Sequence, residues 1–185
     1  MKLLKKGLLG VIAGTMITGS LNAADKFVPL PIFNDSTYKT NIEVALVGGM
    51  MNFSEDDVDS NVVYGVEVSL DCPVFTLPGD NLLRQQFSVN RYSDTGIDIT
   101  TIEVNPYYFI TLTDDMVLGF GPGIGGALVD IEGGDSTWNF TYQAGAGIKY
   151  YVDKFLIGVD ARWQGSNAEE NLDNTRFMAK VGYRF

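Results

Sequence analysis

The chain has 185 residues, 23 acidic side chains against 13 basic ones, no histidine and a single cysteine, Cys72. That length suits one domain, the acidity argues against nucleic acid, whose binding needs Lys and Arg to neutralise phosphates, and one thiol closes no internal disulfide. Without an imidazole the chain lacks the usual general base near neutral pH, so no catalytic residue, cofactor site or dedicated metal site is expected.

Lys2, Lys5 and Lys6 form a basic start, residues 7–17 a short apolar run, and the small and polar stretch TGSLNA leads up to Ala23. This is the grammar of a cleaved secretory signal peptide over residues 1–23. The apolar run is about half the ~20 residues a spanning helix needs. No cysteine follows the cleavage position, so lipoprotein processing is not expected. Cleavage would leave 162 residues with 10 basic and 23 acidic side chains, a balance of −13. Residues 24–40, ADKFVPLPIFNDSTYKT, carry Pro29 and Pro31 and predict an extended periplasmic lead-in.

Eight segments then alternate with a period of two. Residues 41–53 put Ile42, Val44 and Leu46 on one face, and residues 62–71 put Val62, Tyr64, Val66, Val68 and Leu70 there. Residues 82–92 give Leu83, Phe87 and Val89, with Gln85 an imperfect member. Residues 98–110 give Thr100, Ile102, Val104, Tyr108 and Ile110, and residues 116–129 give Met116, Leu118, Phe120, Ile124 and Leu128. Residues 138–152 run from Trp138 through Phe140, Tyr142, Ile148 and Tyr150 to Val152, and residues 155–164 give Phe155, Ile157, Val159, Ala161 and Trp163. The last segment is 176–185. An even number of roughly 10-residue strands with this alternation predicts an all-β fold over residues 41–185, an eight-stranded antiparallel transmembrane β-barrel. Apolar residues would face lipid and polar ones the lumen. A soluble lipocalin-like barrel shares the alternation with the faces exchanged. The signal peptide, the chain end and the aromatic placement favour the membrane. Tyr64, Trp138, Trp163 and Phe177 fall near one end of their strands, Tyr108, Tyr150, Phe155, Tyr183 and Phe185 near the other, as two interfacial girdles would require.

On the final strand Phe177, Ala179, Val181, Tyr183 and Phe185 share one face, and Arg176, Met178, Lys180, Gly182 and Arg184 the other. Alternation ending on Phe185 resembles the C-terminal assembly signal of bacterial outer-membrane barrels, carried here by Phe177, Val181, Tyr183 and Phe185. The resemblance implies that the barrel-assembly machinery is a partner and that the surroundings are outer-membrane lipid and lipopolysaccharide. With the C-terminus periplasmic, the outer connections are 54–61, 93–97, 130–137 and 165–175, three of them long and acidic. They would draw divalent cations weakly. Two inner connections are tight, at Thr113-Asp114-Asp115 and Asp153-Lys154. The third, 72–81, is long, and its two prolines argue against a ninth strand in mid-sheet.

The inward faces carry Glu43, Glu67, Glu103 and Asp160 against Arg84, Lys149, Arg162, Lys180 and Arg184, a near-balanced set. An eight-stranded barrel has room inside only for side chains, and charges buried there need partners. A plug of ion pairs is expected. Gly119, Gly121, Gly123, Gly125, Gly145 and Gly147 also face inward and predict room for Arg, Lys and Tyr107 from the opposite wall. The alternative is that the glycines open a narrow passage.

Two motifs fail on context. Residues 121–126 match G-x-G-x-x-G, but a dinucleotide site needs that loop to open a helix, and these glycines lie in a strand pattern. Asp57-x-Asp59-x-Asn61 starts like a calcium loop, yet Val62 and Val68 stand where the turn glycine and closing glutamate belong.

The stretch Ile102-Glu103-Val104-Asn105-Pro106-Tyr107-Tyr108, followed by Leu118-Gly119-Phe120-Gly121-Pro122-Gly123, together with the terminus Lys180-Val181-Gly182-Tyr183-Arg184-Phe185, resembles the small outer-membrane β-barrel proteins of Gram-negative bacteria, of the OmpA-type barrel and OmpX-like, porin-family kind. The resemblance implies a monomer in the outer membrane. Enzymes with such barrels use a catalytic histidine, which this chain lacks. The expected role is therefore structural or surface-interacting, with a charge-plugged lumen and acidic extracellular loops; the alternative is a narrow porin-like channel for small solutes. No peptidoglycan-binding domain follows the barrel, so a cell-wall tether is not expected.

Overall fold

Period-two patterning becomes strand wherever it occurs. The computed structural model describes residues 28–36, 38–54, 60–76, 82–94, 96–167 and 173–185. The signal segment, most of the first outer loop (with Asp57 and Asp59) and part of the fourth lie outside the described residues. In chain order the elements are β1 (Val28–Pro29), α1 (Pro31–Asn34), β2 (Glu43–Phe53), β3 (Asn61–Asp71), β4 (Phe75–Thr76), β5 (Leu82–Asp94), β6 (Ile97–Thr113), β7 (Met116–Ile131), β8 (Thr137–Val152), β9 (Phe155–Ser166) and β10 (Asn174–Arg184).

Eight of these close a barrel in the order β10-β2-β3-β5-β6-β7-β8-β9, every neighbouring pair antiparallel. Closure is between the first and last barrel strands, from Arg184↔Glu43 to Asn174↔Phe53, and it leaves no sheet edge unpaired. Phe185 adds a further bond, its N–H donating to the Ile42 carbonyl at 2.9 Å. One end of the barrel carries the connections 54–60, 95–96, 132–136 and 167–173, and we call it the loop end. The other, the turn end, carries 114–115, 153–154 and both flanks of the barrel segment.

Alternation sets which side chains meet lipid. Leu46, Val62, Val66, Phe87, Val89, Ile102, Ile124, Ile148, Ile157, Val159 and Val181 all lie exposed on the outside. So continuous an apolar surface on a water-soluble domain would be an interaction or aggregation site; on a closed barrel it is the lipid face. No helix among the described residues is long and apolar enough to cross a membrane. The aromatic residues border this surface at both ends, and Tyr142–Trp163 and Phe155–Tyr183 stack edge to face across adjacent strands, with centroids 5.7 and 5.3 Å apart.

Two local features depart from the plain alternation. Pairing between β6 and β7 lapses between Val104↔Ile124 and Tyr108↔Phe120. Pro106 and Pro122 lie in that gap, and neither has an N–H to give the ladder. The second is the lead-in. Where an extended segment is expected, Pro31 opens one turn of helix after Leu30 in the left-handed region (φ 48°); proline's fixed φ suits the first helical position. β1 pairs with β4, Val28↔Thr76 and Pro29↔Phe75, in a separate two-stranded sheet. The long 72–81 connection thus contributes a strand to the lead-in and none to the barrel. Buried Cys72 sits at its start, its N–H donating to the Leu83 carbonyl at 2.9 Å.

Candidate functional site

Side chains that face inward have only one another as neighbours, so the lumen is where the chain's chemistry is concentrated. At the turn end Glu43 of β2 meets Arg184 at 2.9 Å, Lys149 at 2.9 Å and Arg84 at 3.4 Å, and accepts a hydrogen bond from the Tyr151 hydroxyl at 2.9 Å. Arg84 also pairs with Asp71 at 2.9 Å. Lys149 lies 3.9 Å from Glu67 of β3. Glu67 is held by Arg162 at 2.6 Å and Lys180 at 3.0 Å. Asp160 joins the same pair, 2.6 Å from Arg162 and 3.3 Å from Lys180. Arg162 continues to Glu103 of β6 at 3.4 Å, and Glu103 ends the chain on Arg176 at 2.6 Å.

The nine charged residues expected to meet in the lumen are therefore linked by contacts of 4 Å or less, with Asp71 and Arg176 added to them. Every barrel strand except β7 supplies at least one member. Burial of charge is costly unless partners replace the lost water. Here Glu43, Glu67 and Glu103 each have two or more cations within reach. Neutral groups complete the coordination: the Ser88 hydroxyl donates to Glu103 at 2.9 Å, and Arg176 donates to Gln143 at 2.7 Å and to Gln164 at 3.0 Å. Arg184 stacks on the Tyr151 ring at 3.9 Å, and Arg162 lies 5.6 Å from the Tyr107 ring.

Asp71 and Arg176 are the residues that sequence reasoning missed, although parity with Glu67 and with Lys180 marks them as inward-facing. Arg176 is fully buried (0% exposed). The glycine wall also works differently from the expectation. A side-chain carbon on Gly119 would strike the Phe109 ring, and one on Gly123 the Asn105 amide, both from the adjacent strand β6. One on Gly145 would strike the Tyr107 hydroxyl and lie 2.8 Å from Arg162 Cγ. The room is taken by residues of nearby strands, Tyr107 crossing bare β7 to reach β8, and not by groups from the opposite wall. The opposite walls meet elsewhere in the lumen, Arg176 of β10 on Glu103 of β6 at 2.6 Å. A cavity of about 10 Å³ remains beside Tyr107, Phe109, Lys149, Asp160 and Lys180, the room of about one water.

Toward the loop end the inward face changes character. Val47, Met51, Val63, Tyr92, Ile99, Ala127, Val129 and Met178 pack into one buried apolar cluster, with Phe53 and Ile97 against it. Phe53 meets Tyr92 edge to face at 5.1 Å. The expectation of a polar interior along the whole barrel is corrected here. At the loop-end rim a groove of about 360 Å³ is bordered by Asp94, Asp98, Asp130 and Glu132. Among the described residues no group of three or more His, Cys, Asp or Glu is arranged to hold a metal ion. The four residues of the chain-end pattern lie at the turn end of β10 or along its outer face: Phe177, Val181 and Phe185 exposed, Tyr183 between the Phe155 and Phe185 rings at 5.3 and 5.1 Å.

Known structures repeat this architecture. The attachment invasion locus protein Ail of Yersinia pestis superposes with a TM-score of 0.55 at 16% identity, over 80% of this chain and 100% of that one. Neisserial surface protein A gives 0.54 at 12% identity, over 78% and 96%. The outer membrane enzyme PagL gives 0.56 at 15%, over 77% and 99%. At such identities these likenesses speak for the fold alone. No curated protein matches at the sequence level. The family model for the outer membrane protein beta-barrel domain, however, matches residues 13–185, almost the whole chain. The closed eight-stranded barrel, the apolar outer face and that match together make this chain a member of the outer-membrane β-barrel protein family.

Proposed function

We propose that the protein is a non-enzymatic scaffold of the Gram-negative outer membrane, with a closed lumen and acidic loops turned to the cell exterior. The observation that carries this reading is the linked ion-pair chain, which crosses the lumen between seven strands and is backed by the apolar cluster. Buried carboxylates held by two or more cations are poor general bases, and no histidine stands near them or anywhere in the chain. The likeness to PagL concerns fold and supplies no reaction. On this reading the surface role belongs to the loops. Ail has been crystallised with the heparin analogue sucrose octasulfate; a formal charge of −10 makes a polyanion an unsuitable partner for this chain. Export by cleavage after Ala23, insertion by the barrel-assembly machinery through Phe177, Val181, Tyr183 and Phe185, lipopolysaccharide as the outer neighbour and a monomeric state complete the proposal.

A second reading, a narrow conduit, has the bare walls of β7 and β8 and the small cavity beside them in its favour. Refolded protein in a planar bilayer separates the two. The scaffold gives no discrete conductance steps. Steps that vanish on substituting Glu103 or Arg162 would establish the conduit instead. Loop deletion tests the surface role: cell-surface binding unchanged after removing 132–136 and 167–173 argues against it.

A further inference from the structure

Outside the barrel, one apolar patch has no partner within the chain's described residues. Phe33 is 82% exposed, Val74 53%, Ile32 52% and Leu30 48%. They come from two separate segments, and the structure brings these together: β1 pairs with β4, and the Leu30 N–H donates to the Val74 carbonyl at 2.6 Å. The unit is tied to the barrel rim. The Tyr38 hydroxyl donates to the Asp71 carbonyl at 2.7 Å, the Asn41 amide to the Asp71 carboxylate at 2.5 Å, and the Asp71 N–H to the Thr40 carbonyl at 2.9 Å. Its other strut is Cys72, bonded to Leu83, and Leu83 is paired across the wall with the girdle residue Tyr108. The patch is therefore tied to the barrel next to Tyr108 of the turn-end aromatic belt.

We infer that residues 30–34 and 74 form a lipid-binding foot, lying in the headgroup region of the leaflet at the turn end. Water would meet some of the largest apolar side chains of the lead-in without compensation, whereas the interfacial zone of a bilayer accepts an aromatic ring and aliphatic neighbours on a short amphipathic element. Continuity with the barrel's lipid face selects lipid over a protein partner. The foot also accounts for the length of the 72–81 connection, which must reach out from the barrel to build β4.

The test uses the full chain in phosphatidylcholine vesicles. Trp138 and Trp163 are replaced by Phe, and Phe33→Trp becomes the one fluorophore; Ile32→Trp serves as the parallel variant, and heat-modifiable migration confirms folding of each. The foot predicts emission blue-shifted from tryptophan in water. It also predicts quenching by lipids brominated near the headgroup end of the acyl chain that is at least twofold stronger than by lipids brominated near the chain middle. Water-like, unquenched emission from both variants overturns the proposal. So does a blue shift that appears only as the protein-to-lipid ratio rises, which would assign the patch to a second copy of the chain.

Discussion

The two halves of the lumen solve one packing problem with opposite chemistry. Toward the turn end, Glu43, Glu67 and their cations fill the interior with linked charge; toward the loop end, Met51, Val63, Tyr92, Ile99 and Met178 pack into an apolar cluster that borders Glu103 and Arg176, Arg176 lying opposite Met51. Packing tolerates small repairs, because neighbouring side chains shift into a gap. Buried charge does not, because a lost partner leaves an ion in a medium that cannot solvate it. The ionic half should therefore be brittle and the apolar half forgiving.

The sharpest break of that contrast is Arg162→Ala, which strips one partner each from Glu67, Glu103 and Asp160. A loss of about 3–5 kcal/mol is expected, read from urea unfolding of the refolded barrel by tryptophan emission. Next comes the boundary pair. Glu103→Leu alone should cost about 3 kcal/mol by leaving Arg176 buried without its carboxylate, while adding Arg176→Met should restore a midpoint near that of the wild type, since an apolar pair can replace a buried ionic one. If the double variant is no better than the single, the ionic half is not interchangeable with core. In the apolar half, Met51→Ala should cost about 2 kcal/mol, toward the low end for a buried large-to-small change; a loss equal to that of Arg162→Ala would erase the contrast. The smallest effect belongs to the exposed pair Arg91–Asp98, 3.1 Å apart. Arg91→Ala should leave the unfolding midpoint where it was, because exposed ion pairs contribute little.

How legible each half is in the sequence follows from the same difference. Charged residues on an apolar strand announce which way they point, so Glu67 and Lys180 could be assigned to the lumen from parity alone. All eight barrel strands lie within three residues of their expected bounds for that reason. Val63 and Ile99 give no such signal: in strands already rich in apolar residues an inward Val reads like an outward one, and only the closed register shows that they meet. Parity places Tyr107 inward, where it is buried, yet its neighbours depend on strand order and tilt, which parity does not encode. The pairing of Val28–Pro29 with Phe75–Thr76, which precedes the helical turn at Pro31, rests on a contact between segments nearly 50 residues apart, beyond the reach of any local pattern. Arg176 is legible by the same parity as Lys180.

Ring closure also bears on the charge of the interior. β10 carries Arg176, Lys180 and Arg184, which reach Glu103, Glu67 and Glu43 on strands made earlier. Without it each of those carboxylates keeps a cation, Lys149 and Arg84 for Glu43 and Arg162 for Glu67 and Glu103, but loses another. The other strands alone bring Glu43, Glu67, Asp71, Glu103 and Asp160 against Arg84, Lys149 and Arg162, an excess of acid. The last strand thus completes the hydrogen-bonded wall and the charge balance of the interior together.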